Sequence, residues 1–228
     1  MNVSAQSAKN DTVAIMILDQ MSHIIGELTS TSFTVETRND VSDRNVGLTS
    51  QFGVNKVYFD GPDRMHINSK GNKGHQGLWY NGYSLVYYSF DENNFAIIDS
   101  PSTTIETIDS ISNNYSIEFP AADFFYPTFS QDLIDESEEI IYNGKKIVND
   151  EECFHIISKQ KEMTIQFWIG NNAFFLPVKM LIMYHNKSNL QYEASFSDWD
   201  INPVLPASIF EFLPPPGARE VYLLPKNN

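Results

Sequence analysis

Three segments of this chain are apolar on both sides of an extended backbone. They are Leu85-Val86-Tyr87-Tyr88, Ile165-Gln166-Phe167-Trp168-Ile169 and Met180-Leu181-Ile182-Met183-Tyr184. An antiparallel sheet with one wet face alternates apolar and polar residues. A sheet built from these segments therefore has both faces covered, at least in part. The chain's own helices cover one face. Three covers are open for the rest: a curved sheet closing on its own helix, a bound apolar ligand, or a partner chain. Leaving each such side chain in water forfeits ~1.5–3 kcal/mol and invites aggregation.

The rest of the pattern says how the strands are joined. Val13, Met16, Ile17, Met21, Ile24, Ile25 and Leu28 recur at helical spacing, so Asp11 to Leu28 reads as an amphipathic helix capped by Asn10 or Asp11. The period then changes to two at Phe33, Val35 and Thr37. Strand candidates follow at Val46–Tyr58 and Arg64–Ser69, split by the turn Asp60-Gly61-Pro62-Asp63. Asn81-Gly82 predicts a type I′ hairpin between Gly77–Tyr80 and Tyr83–Phe90, and Phe95–Ile98 comes next. Pro101 ends the run. Thr103-x-x-Glu106 reads as a capping box before a helix carrying Ile105, Ile108, Ile111 and Tyr115. Pro120–Tyr126 and Gln131–Ile134 read as two more short helices. Strands resume at Glu139–Tyr142, where Asn143-Gly144 predicts a second tight hairpin into Lys145–Val148. Cys153–Lys159, Thr164–Ile169, Val178–Tyr184 and Tyr192–Asp200 follow, then a short strand at Ile209–Leu213 among prolines. Short spacing between consecutive strands means mostly antiparallel neighbours.

Charge and cysteine content narrow the classes of function. Among 228 residues, 29 acids against 15 bases leave a net charge of -14, which argues against nucleic-acid backbones and anionic bilayers as main partners. No Lys or Arg lies between Lys73 and Lys145, a stretch with 12 acids and 14 of the 30 aromatics. Cys153 is alone, which excludes an internal disulfide and a cysteine zinc knuckle. No apolar run reaches the ~18 residues of a membrane span. Val3-Ser4-Ala5 has the small-residue spacing found just before signal cleavage, although residues 1–10 lack an apolar signal core. A form beginning near a cleavage site and a cytosolic protein with a floppy start are both compatible with that composition.

No constellation points to catalysis. His23, His66, His75, His155 and His185 show no metal-ligand spacing. Cys153 and His155 lie two apart on one strand, but a nucleophilic pair also needs an orienting group and an oxyanion site. Asp132, Asp135, Glu136, Glu138 and Glu139 match no calcium loop and read as a solvated acidic face. Trp168 and Trp199 read as core anchors, Gln166 as a polar group that needs a partner if buried, and Asp198 as a local hydrogen-bonding device.

A resemblance enters on residues spread along the chain. Val57–His66 (VYFDGPDRMH), Trp79–Gly82 (WYNG), Phe119–Phe125 (FPAADFF), Gln166–Ile169 (QFWI), Pro177–Lys179, Ser197–Trp199 (SDW), Phe210–Phe212 (FEF) and Pro215–Ala218 (PPGA) occur in this order. In that order the chain resembles the DUF2092 family of predicted periplasmic proteins over roughly residues 11–221. It departs from the family pattern at Thr164, where an aromatic or acidic pair commonly precedes the glutamine. The family in turn resembles periplasmic lipoprotein carriers of the LolA/LolB type. The resemblance implies an α+β fold: a curved, incompletely closed antiparallel β half-barrel, covered by the N-terminal helix and the mid-chain helical insertion. It implies one domain over 11–228 behind an N-terminal remnant at 1–10, with export and a signal peptide removed. It also implies a non-enzymatic carrier of an apolar or acylated ligand, lipid or lipoprotein, with no cofactor and no metal. The expected ligand-binding residues are Phe124, Phe125 and Tyr126 in a lid and Phe167, Met180, Ile182 and Phe196 on the sheet. The alternative is a sensory or scaffolding module that binds an envelope protein in its groove.

Overall fold

The computed structural model describes residues 10–99, 103–115 and 122–225. Residues 1–9 of the expected remnant, Pro101, and Phe119, Pro120 and Ala121 of the FPAADFF motif lie outside the described residues. In chain order the elements are α1 (Thr12–Gly26), β1 (Ser30–Asp43), β2 (Gly47–Asp60), β3 (Arg64–Gly71), β4 (Gly74–Tyr80), β5 (Ser84–Ser89) and β6 (Asn94–Asp99). Then come α2 (Thr104–Tyr115), a 3-10 turn (Ala122–Phe125), α3 (Phe129–Glu136), β7 (Glu139–Val148), β8 (Glu151–Lys159), β9 (Met163–Gly170), β10 (Pro177–Tyr184), β11 (Leu190–Ile201) and β12 (Arg219–Glu220). The strand order is β12-β6-β5-β4-β3-β2-β1-β11-β10-β9-β8-β7, with the end strands unjoined. This is the expected α+β class: an open, mostly antiparallel sheet with an N-terminal helix and a mid-chain helical insertion. β12 pairs parallel to β6. The chain divides into two compact units.

The first unit joins the segment up to Gly26 to residues 127–194. Asp11 starts α1 by accepting the Val13 N–H at 2.8 Å, and Asn10 bridges to Ile140 of β7. Ala14, Ile17, Leu18, Met21 and Ile25 form the buried face of α1, which packs on α3 and β7. The predicted hairpin at Asn143-Gly144 is not there. The β7–β8 register shifts between Tyr142 and Lys145, and Gly144 has φ +73°. The pair forms a β-bulge inside one strand, because a left-handed glycine accommodates an extra residue without ending the ladder. The turn comes five residues later, at Asn149 and Asp150, both with positive φ (51° and 64°). Asn and Asp tolerate that conformation better than other side chains.

The second unit comprises residues 27–126 and 195–228. The capping box of α2 is formed: Thr103 Oγ1 donates to Glu106 Oε2 at 3.0 Å and accepts the Glu106 N–H at 3.3 Å. The Asn81-Gly82 hairpin also forms, but not as a two-residue I′ turn. Only Gly82 has positive φ, and the Asn81 side chain accepts the N–H groups of Tyr83 and Ser84. The register places Phe33, Val57, Ile67, Leu78 and Tyr87 on one face. Tyr80 shares that face and is hydrogen-bonded to Thr107 of α2, so α2 covers it.

The opposite face answers for the non-alternating β5. Val86, Tyr88 and Phe95 are buried there, with Trp79, Phe212 and Ala218 packed against them. The Phe212 ring lies 5.0 Å from Trp79, 5.4 Å from Tyr88 and 5.4 Å from Phe95. The second cover of β5 is therefore the chain's own C-terminal strap, not a ligand or a partner. The short strand expected at Ile209–Leu213 is absent: a 3-10 turn at Ala207–Ile209 leads into unpaired backbone. Pro203, Pro206 and Pro214–Pro216 remove ladder donors, so the apolar residues between them pack instead of pair. Phe212→Ala is expected to lower stability by about 2–3 kcal/mol, whereas Leu213→Ala, at a side chain 84% exposed, changes it by less than about 0.5 kcal/mol. Chemical denaturation of the two variants checks this; equal losses would show that the strap is not a cover.

Candidate functional site: an aromatic floor

The seven residues expected to bind ligand fall into two groups, one in each unit. In the second unit, Phe124 and Phe125 belong to the 3-10 turn. Phe125 stacks 6.0 Å from Phe33 and sits 5.3 Å from Phe59, while Phe124 meets Phe196 edge-on at 5.5 Å. Phe33 also stacks on Trp199 at 4.2 Å. The result is a floor of Phe33, Phe59, Phe196 and Trp199 with Phe124 and Phe125 as its cover. Tyr126 does not join it; its hydroxyl donates to Asp109 of α2, and burial together with that carboxylate raises its pKa.

Local backbone explains how Phe196 and Trp199 meet on one floor. They are three apart, so a regular strand would send them to opposite faces. Asp198 between them has φ +56°, a left-handed residue inside β11, and the two rings lie 6.3 Å apart. That bulge re-aims Trp199 onto the face of Phe33. Sequence reasoning missed Phe33, Phe59 and Trp199 as floor residues. The alternation at Phe33 was readable, but the bulge at Asp198 leaves no periodic signal.

In the first unit Phe167 of β9 pairs in register with Met180 of β10 and Ile156 of β8, and Ile182 pairs with Ile165. Phe167 is 1% exposed and Met180 8%, with Phe129 at the start of α3 edge-on to Phe167 at 6.0 Å. Ile182 is half-buried. Phe167 is therefore covered on its own face by α3, whereas the aromatic floor in the second unit is met by Phe124 and Phe125 of a four-residue turn.

The opposite face of the first unit carries the Cys153–His155 pair. Its geometry rules out a nucleophile and base. His155 stacks on Trp168 at 4.5 Å, accepts from the Asn143 amide at Nδ1 and donates from Nε2 to Gln166 Oε1, each at 3.0 Å. Both ring nitrogens are occupied, and Gln166 has the partner it needed. The Cys153 thiol donates to the Glu151 carbonyl at 3.6 Å, and burial beside Glu151 and Glu152 pushes its pKa up to about 11. A protonated thiol beside a neutral, fully bonded imidazole supports packing, not catalysis. Among the described residues no group of three His, Cys, Asp or Glu could hold a metal ion, and no helix is long and apolar enough to cross a membrane.

Comparison with known proteins agrees with this architecture. The model of a family described as "Predicted periplasmic protein (DUF2092)" matches residues 14–224. LprF from Mycobacterium bovis is similar with a TM-score of 0.54 at 12% identity, covering 87% of this chain and 97% of that one. The Mycobacterium tuberculosis lipoprotein LppX is similar with a TM-score of 0.53 at 15% identity, covering 86% and 98%. The Pseudomonas aeruginosa MucA/MucB complex contains a chain with a TM-score of 0.50 at 9% identity, covering 88% and 61%. At these identities the likeness is one of fold. No curated protein sequence matches the chain.

Two histidines set a pH dependence of stability. Burial lowers the pKa of His155 and of His66, whose Nδ1 donates to the Leu78 carbonyl at 3.0 Å. The unfolded chain then takes up protons first as pH falls. Stability is full above the ordinary value of about 6.5 and declines as pH drops from there toward the lowered folded values. The denaturation midpoint is expected to fall between pH 7.5 and pH 5.5, and His66→Gln with His155→Gln to flatten that slope. An unchanged slope in the double variant would contradict the assignment.

Proposed function

The chain belongs to DUF2092, a family of predicted periplasmic proteins, and on that premise we propose that it is a non-enzymatic periplasmic binding or carrier protein for an apolar or acylated ligand. One observation carries the reading. The floor of Phe33, Phe59, Phe196 and Trp199 is met by the rings of Phe124 and Phe125 on a four-residue 3-10 turn. The Tyr126 N–H donates to the Asp123 carbonyl at 3.3 Å, and the Tyr126 hydroxyl ties the turn to Asp109 of α2.

Lifting such a cover breaks no ladder hydrogen bond. It exchanges ring–ring contacts for ring–chain contacts, so the floor stays dry with or without ligand. An acyl chain that buries about ten methylenes gains roughly 8 kcal/mol gross, from which the ordering of chain and lid is subtracted. The specificity of such a site is for length and apolarity, because the floor offers rings and no charge. Expected binding is therefore weaker than about 1 μM and indifferent to headgroup.

The three tryptophans make the proposal testable in one sample. Trp79 shares a face with His66, opposite the floor, and Trp168 shares a face with His155 in the first unit. Trp199 alone lies on the floor. In a Trp79→Phe, Trp168→Phe variant, titration with brominated palmitate is expected to quench Trp199 saturably, and Phe33→Asp to abolish the effect. Undiminished Trp199 emission at saturating ligand would contradict the site.

A further inference from the structure

The β1–β2 hairpin extends beyond the strand that flanks it. The β2–β3 register covers Gly53 to Asp60 only, and Asn72 closes it by exchanging hydrogen bonds with the N–H and C=O of Phe52. Among the described residues no strand pairs with Gly47–Gln51 on the side away from β1. In an antiparallel strand every second residue turns both backbone groups to the same side. Phe52 turns its groups toward β3, so Leu48 and Ser50 present theirs to the open edge.

Side chains around this edge are those of an interaction surface. Leu48, Phe52 and Val54 project from one face of β2 and are 63%, 59% and 45% exposed. Val46 in the adjoining turn is 70% exposed. Isolated apolar residues on a surface are ordinary, but four within nine residues form a patch. Lys56 shares that strand face, Lys70 pairs with Val54 in register, and Arg44 lies in the turn. They stand against Glu36 on β1; Asp40 is already held by Arg38 at 2.9 Å and by the Ser50 hydroxyl at 2.8 Å. Asp43 beside Arg44 accepts the Asn45 and Val46 N–H groups, so in a chain of net charge -14 three cations here meet two carboxylates, Glu36 and Asp43, outside the Arg38–Asp40 pair.

We propose that the open edge of β2 at Gly47–Gln51 takes an extended acidic peptide segment of a partner protein as an added strand. Backbone pairing at Leu48 and Ser50 supplies the register, the side chains on the Leu48–Phe52 face are apolar at the centre of the added strand, and carboxylates at its two ends on that same face meet Arg44 and Lys70. A bilayer is the other surface that takes exposed apolar and cationic groups. It leaves the N–H and C=O groups of Leu48 and Ser50 without partners in an apolar medium, which is costly; an added strand satisfies them. Phe52 and the floor residue Phe33 lie on opposite faces of the β1–β2 pair, so this surface is independent of the acyl-chain site.

The test uses the full chain and a fluorescein-labelled heptapeptide with Glu at its first and last positions, Val at the third and fifth and Thr at the rest, so that acids and apolar side chains share one strand face. Saturable binding by fluorescence anisotropy is expected, with slowed hydrogen exchange at the Leu48 and Ser50 amides. Leu48→Pro removes one edge donor and is expected to weaken binding about tenfold or more, while Leu48→Ala, which keeps the N–H, weakens it less. A peptide N-methylated at alternate positions and a peptide with Lys in place of each acid are both expected not to bind, and these two results do not depend on how any protein variant folds. Equal binding of either control peptide, or unchanged exchange at both amides, overturns the proposal. So does capture by phosphatidylglycerol vesicles without capture of the acidic peptide. Brominated-palmitate quenching of Trp199 is unaffected by Leu48→Pro, which separates failure here from failure of the acyl-chain site.

Discussion

Phe212 lies between Trp79, Tyr88 and Phe95, and the second unit's sheet depends on that contact. A strand such as Leu85-Val86-Tyr87-Tyr88 cannot rest with one face wet. Its first face is met by α2 through Tyr80 and Thr107. Its second face needs another layer, and the chain supplies one from its own end. The prolines around Phe210–Phe212 serve this directly. They keep the strap from pairing as a strand, so its rings are free to pack across β4, β5 and β6. β4, β5 and β6 are therefore covered on the strap side by the chain itself.

The two units differ in how their apolar faces are covered. In the first, Phe129 of α3 sits edge-on to Phe167 and the Ser137 hydroxyl is hydrogen-bonded to the Ser158 hydroxyl at 2.7 Å, so helix and sheet are joined by both packing and polar contact. In the second, Phe124 and Phe125 reach the floor from a 3-10 turn that belongs to no ladder. Aromatic contacts lack the directionality of a ladder and are readily exchanged for contacts with another apolar group. On the reading proposed above, that difference favours the aromatic floor over the Phe167 face as the place where a ligand competes with the chain itself.

Much of this was legible in the residues. The period of α1, the capping box Thr103–Glu106, the alternation at Phe33 and the hairpin at Asn81-Gly82 each rest on local chemistry, and each is found. What was not legible has a common physical cause. Asn143-Gly144 and Asn149-Asp150 both permit a left-handed backbone, and only the pairing partner decides which becomes a bulge and which a turn. Asp198 is the same case: a left-handed residue within β11 moves Trp199 onto the floor without changing the composition. The strap was misread as a strand because Phe210 and Phe212 have a strand's spacing, while their true partners are more than a hundred residues earlier in the chain. Of the expected ligand residues, Phe124, Phe125 and Phe196 meet at the floor. Phe167, Met180 and Ile182 line a separate face in the first unit, and Tyr126 is spent on Asp109.

The central claim is that an apolar chain can replace Phe124 and Phe125 over the floor of Phe33, Phe59, Phe196 and Trp199. Native mass spectrometry of the protein purified from its own compartment without detergent, followed by organic extraction, tests this most directly. The account predicts a population heavier than the polypeptide by the mass of one acylated molecule, recovered in the extract and lost in a Phe33→Asp variant that still folds. A bare polypeptide mass with an empty extract, from protein that also ignores added palmitate, would contradict it.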